Sequence, residues 1–109
     1  MEYKVVWSPK AQESFFEIID YLDNNWSPEV KENFINKTKT LIERISKRPY
    51  SYRASIAPKF HEVLITKQNL LIYRIVQETV QVVIIWDTRK NPKRKVSSAK
   101  SGVKSLKAK

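Results

Sequence analysis

Residues 60–88 read FHEVLIT-KQ-NLLIYRIV-QE-TVQVVIIWDT, and their punctuation decides the fold. Three runs rich in β-branched and aromatic residues, Phe60–Thr66, Asn69–Val76 and Thr79–Trp86, are separated only by Lys67-Gln68 and Gln77-Glu78. Branched side chains fit a pleated surface, so each run predicts a strand. Links this short join antiparallel strands, because a parallel crossover needs about a dozen residues or more. The segment therefore predicts a three-stranded antiparallel meander. Within its last strand, Val82-Val83-Ile84-Ile85 is apolar without alternation, which predicts cover on both faces.

Upstream, two Ser-Pro pairs mark helix starts. Serine at an N-cap accepts an orphan N–H, and proline at the first helical position has none to leave unpaired. From Pro9 to about Asn25, the residues Ala11, Phe15, Ile18, Ile19 and Leu22 form one stripe of a 3.6-residue period. From Pro28 to about Lys47, the stripe is Val30, Phe34, Thr38, Leu41, Ile42 and Ile45. Arg48-Pro49 ends it, since a residue before proline avoids the helical region. The few residues around Asn24–Ser27 make the helices an antiparallel hairpin. Tyr3–Trp7 is a short β-prone opening, and residues 50–59 read as a loop. The fold expected is α+β, running strand–helix–helix–three-stranded antiparallel meander. All four strands are expected to run antiparallel in one sheet, the first paired with a meander strand, with the helical hairpin on one face.

A chain of 109 residues makes one domain and can bury a core unaided. It has no cysteine and one histidine, which excludes disulfides and thiolate chemistry; a metal site would have to be built mostly from carboxylates, and none is expected. Its single glycine, Gly102, rules out a glycine-rich phosphate loop in the body, so no cofactor is expected. No apolar run reaches the roughly 18 residues of a membrane span, and Met1-Glu2-Tyr3-Lys4 does not open like a secretory signal. No membrane partner and a cytoplasmic location are expected.

The charge is uneven. Of 21 basic residues, nine lie in 88–109 with no acidic residue among them, leaving 12 basic against 11 acidic in 1–87. A block of one sign repels itself, so 93–109 is expected to be a flexible basic tail behind a domain of residues 1–92. The sheet face turned away from the hairpin then has either Tyr50 and Tyr52 folded over it or nothing, and a bare apolar face is a docking surface for another protein.

The order and residues resemble the RelE/ParE family of toxins from bacterial type II toxin–antitoxin pairs, of the plasmid-stabilisation type. The resemblance covers roughly residues 3–92 and rests on Val5-Val6-Trp7-Ser8-Pro9-Lys10-Ala11, Asn69-Leu70-Leu71-Ile72-Tyr73-Arg74-Ile75 and Val82-Val83-Ile84-Ile85-Trp86-Asp87-Thr88-Arg89. It implies a small toxin neutralised by a wrapping antitoxin in a hetero-oligomer. RelE-like members cut messenger RNA on the ribosome with clustered Lys and Arg and a late Tyr or His, groups that stabilise a charged phosphorane and move protons. ParE-like members bind DNA gyrase. Here the arginine slot before the apolar-apolar-Tyr run holds Leu70, the preceding strand offers only His61 and Glu62, and no Tyr or His follows Trp86. Arg89 alone matches a RelE-like cation. These departures favour a ParE-like inhibitor of gyrase.

Target- or antitoxin-binding residues expected on that reading are Arg74, Trp86, Arg89, Lys90, Lys93 and Arg94. A ribosome-dependent ribonuclease would instead use His61, Arg74 and Arg89. A third reading is a basic-tailed nucleic-acid adaptor without toxicity. Each residue also has a plain structural role open to it: a surface His61, an Arg74 paired with Glu17 or Asp20, a capping Asp87 and Thr88, a solvated basic run.

Overall fold

A computed structural model describes residues 2–52, 59–90 and 92–107. Both serine–proline pairs open helices as expected: α1 runs Pro9–Asn25 and α2 Pro28–Lys47. The strands are β1 (Lys4–Trp7), β2 (Phe60–Thr66), β3 (Asn69–Val76) and β4 (Thr79–Asp87), and a third helix, α3, spans Lys95–Lys107. Part of the expected loop, residues 53–58, lies outside the described residues. No described helix is long and apolar enough to cross a membrane.

The strands form one sheet in the order β1-β4-β3-β2. The meander is antiparallel, but β1 runs parallel to β4, with Lys4 opposite Thr79 and Trp7 opposite Val82. The all-antiparallel expectation is corrected here. Short links dictate direction only between strands they join, and β1 reaches β4 through most of the chain.

The hairpin covers one face. Ala11 of α1 and Phe34, Leu41 and Ile45 of α2 meet Ile65, Leu71, Tyr73, Val80, Val82 and Ile85. Phe15 stacks on Phe34 with ring centroids 5.6 Å apart. β1 ends at Trp7, and α1 then serves the β4 edge with side chains. Ser8 Oγ donates to the Val83 carbonyl at 2.7 Å, and Ser14 Oγ accepts from the Ile85 N–H at 3.1 Å. Ser8 also accepts from the Ala11 N–H at 2.9 Å, capping α1. Ser27 sits at the matching place on α2, but its side chain makes no cap bond.

The second face is not bare. Ala99 and Val103 of α3, with Val96 beside them, close over Phe60, Leu70, Ile72, Val83 and Trp86. Residues 95–107, expected as a flexible tail, form a helix packed on the sheet, and the open apolar face expected there is covered. Tyr50 and Tyr52 do not supply the cover either. Tyr52 packs into the hairpin-side core, and Tyr50 meets Tyr3 and His61. The reason is a stripe of Val96, Ala99, Gly102 and Val103 at helical spacing, which buries while the lysines point outward. The unbroken apolar run of β4 has the same explanation. The register slips between the pairs Ile72–Ile84 and Tyr73–Val82, so Val83 is an inserted residue facing α3.

Candidate functional site

Where β4 ends, three of the expected binding residues come together. Trp86, Arg89 and Lys90 line a groove of about 410 Å³ with Glu13, Glu17 and Tyr21 of α1. Trp86 is only 6 % exposed, held under α3, so it is a floor and not a protruding anchor. The Lys90 ammonium lies 5.9 Å from its ring centroid. Arg89 grips Asp87 twice, Nε to Oδ1 at 3.0 Å and Nη2 to Oδ2 at 2.9 Å. Those bonds hold the Asp87 carboxyl below its ordinary range. Thr88 donates its hydroxyl to the Lys67 carbonyl and fixes the rim. The groove is therefore of mixed charge, with Glu13, Glu17 and Asp87 facing Lys10, Arg89 and Lys90.

Arg74 stands elsewhere. It is half-buried, with Nε 2.6 Å from Oε1 of Gln81, its cross-strand partner on β4. Glu17 and Asp20, the carboxylates expected to pair with it, sit on α1, across the sheet. Five residues separate Arg74 from Asn69, the partner of Asp87, about 17 Å along the strand. Lys93 and Arg94 are exposed on the single turn Pro92–Arg94 before α3.

His61 points to the hairpin side. Its ring stacks on Tyr73 at 5.2 Å between centroids, Tyr50 meets it edge-on, and Nδ1 lies 3.0 Å from the Tyr52 carbonyl oxygen. A carbonyl only accepts, so Nδ1 carries the proton. Glu62 faces the other way, as alternation on a strand requires, and is buried against Lys95 with Nζ 3.0 Å from Oε2. His61, Arg74 and Arg89 thus lie on two faces and at two ends of the sheet. They cannot act on one phosphate.

Leu70 stands in the arginine slot of the RelE-like resemblance, and Glu62, next to His61, on the strand before it. Both are buried under α3. Sequence reasoning singles out neither Glu13 nor Tyr21, and names Glu17 only as a partner for Arg74. It also passed over Lys95, whose partner lies far away in the chain, and Gly102. A Cβ on Gly102 would stand 2.0 Å from the Val83 carbonyl oxygen, so the single glycine lies where α3 crosses the bulge of β4.

Residues 5–92 match the family described as "ParE toxin of type II toxin-antitoxin system, parDE". No curated protein matches the chain. Among solved structures, the chromosomal ParDE TA system from P. aeruginosa superposes with a TM-score of 0.69 at 15% identity, covering 79% of this chain and 96% of that one. A mutant of the E. coli toxin RelE in the free state gives 0.57 at 16% identity, covering 97% and 99%. The heterotetrameric YoeB-YefM toxin-antitoxin complex from Staphylococcus aureus gives 0.54 at 14% identity, covering 83% and 100%. These likenesses show a shared fold.

Proposed function

The chain belongs to the ParE toxin family of type II toxin–antitoxin systems, and from that premise we propose that it arrests an essential target by binding, without cutting RNA. The target proposed is DNA gyrase, from the resemblance to ParE-like members. One observation carries the choice of binding over cleavage. Leu70, in the slot where the RelE-like pattern has an arginine, lies in an apolar seat with Ile72, Val83 and Trp86, roofed by the chain's own helix. A ribonuclease needs a base, an acid and cations converging on one phosphate. A binding toxin needs only a surface.

A cognate antitoxin is part of the proposal, and it does not find the bare sheet face that the sequence suggests. Other apolar features stand open to it among the described residues. Trp7, Phe15, Ile35 and Ile42 line an open groove of about 490 Å³ beside β1. Phe16, Tyr21 and Trp26 stand more than half exposed on α1 and its end. Such rings favour partner contacts.

The test is supercoiling of relaxed plasmid by purified gyrase in the presence of the full chain. The expected result is loss of supercoiling that deepens with dose. Undiminished supercoiling at a large molar excess of the chain overturns gyrase as the target.

A further inference from the structure

Of the net charge of +10, residues 88–109 carry +9. α3 sorts that charge. Val96, Ala99, Gly102 and Val103 turn toward the sheet, while Ser97, Lys100 and Lys104 are exposed, as are Lys93 and Arg94 of the preceding turn. Lys95, the cation on the inner edge, is neutralised by Glu62 at 3.0 Å. No acidic residue interrupts the outer face. Lys10 is exposed at the far end, where its backbone N–H approaches Ser105 Oγ at 3.4 Å. Of the carboxylates in the neighbouring groove, Asp87 is occupied by Arg89, and Glu13 and Glu17 lie on α1.

We propose that the outer face of α3 is a binding surface for the phosphate backbone of duplex DNA, with Arg94, Lys100 and Lys104 at its centre. The helix is already folded and clamped, so these charges need no ordering on binding. No aromatic residue follows Trp86, and Trp86 is buried, so the face has nothing on which unstacked bases of a single strand could lie. Among the described residues it also has no exposed apolar centre of the kind a protein partner buries. A regular row of phosphates asks for neither. The surface works without gyrase and without an antitoxin, so its test stands apart from that of the proposed target.

The experiment is fluorescence anisotropy of a short labelled duplex titrated with the full chain over a range of salt. Wild type binds, and its affinity falls steeply with salt. Arg94→Gln/Lys100→Gln/Lys104→Gln lowers the salt slope by about 2.7 and weakens binding at low salt by about two orders of magnitude. Lys37→Gln/Lys39→Gln/Lys47→Gln removes the same charge from exposed positions of α2 and leaves binding within a few-fold. Urea midpoints check that both variants fold. Should the α3 triple variant unfold, Lys100→Gln alone lowers the slope by about 0.9. The proposal is overturned by any of three results. The first is absence of duplex binding at about 50 mM salt, where phosphate contacts are strong. The second is equal loss in both triple variants, which would make net charge the cause. The third is tighter binding to poly-glutamate or single-stranded RNA than to the duplex, which would reassign the face to an acidic protein or to RNA.

Discussion

Ser8 ties three elements together, two of them through its hydroxyl. It accepts from Ala11 in α1 and donates to Val83 in β4, and it leaves β1 by donating its own N–H to the Val82 carbonyl. It is fully buried. Ser8→Ala removes the cap and leaves a buried carbonyl unpaired, so it should cost about 2–4 kcal/mol in urea denaturation. Ser27→Ala is the matched control. Ser27 is exposed and makes no side-chain cap bond, so its loss should stay within about 0.5 kcal/mol. Equal costs would refute this account of the β4 edge. A second residue ties stability to pH. Burial, reinforced by nearby Tyr52, holds the Tyr73 phenol above its ordinary range, and its hydroxyl donates to the Pro49 carbonyl. The unfolded chain gives up that proton near about pH 10, before the folded one does. The contribution is complete below that pH and declines as pH rises beyond it. Urea midpoints should therefore fall between about pH 8 and about pH 10.5, and Tyr73→Phe should flatten part of that fall.

At the scale of elements, α3 depends on one missing side chain. In an exposed helix, Gly→Ala stabilises by about 1 kcal/mol. At position 102 the new Cβ meets the Val83 carbonyl oxygen at 2.0 Å, so Gly102→Ala should destabilise by about 1–3 kcal/mol instead. Deleting residues 95–109 should strip Ile72, Val83 and Trp86 of cover and raise binding of the dye ANS several-fold over the full chain. Unchanged dye binding would mean that α3 does not seal the sheet. The elements up to residue 87 were legible because period speaks plainly there. Ser-Pro starts and a 3.6 stripe marked α1 and α2, and two-residue links marked the meander. β1 misled in direction because its pairing has no local signal. α3 stayed hidden because its cations outweigh a stripe built partly from Ala99 and Gly102, which a reading for large apolar residues passes over. The groove was half legible. Trp86, Arg89 and Lys90 were singled out, but only tertiary structure brings Glu13 and Glu17 to them.

Across the whole molecule, charge and cover are divided. The body of residues 1–87 is near neutral with both sheet faces closed, one by the α1–α2 hairpin and one by α3, while Arg94, Lys100 and Lys104 lie exposed on the last helix and the turn before it. Among the described residues His61, Arg74 and Arg89 do not converge in one cleft, in keeping with the proposed action by binding. Replacing His61 should therefore leave growth arrest in cells unchanged wherever the variant folds. Arg89→Ala should alter it only through the mixed-charge groove. The account rests most heavily on the absence of RNA cleavage. Primer extension on messenger RNA, recovered from a translating extract dosed with the full chain at a level that stops supercoiling, reads this directly. Transcripts that stay whole are the predicted result, and new 5′ ends within codons engaged by ribosomes would contradict it.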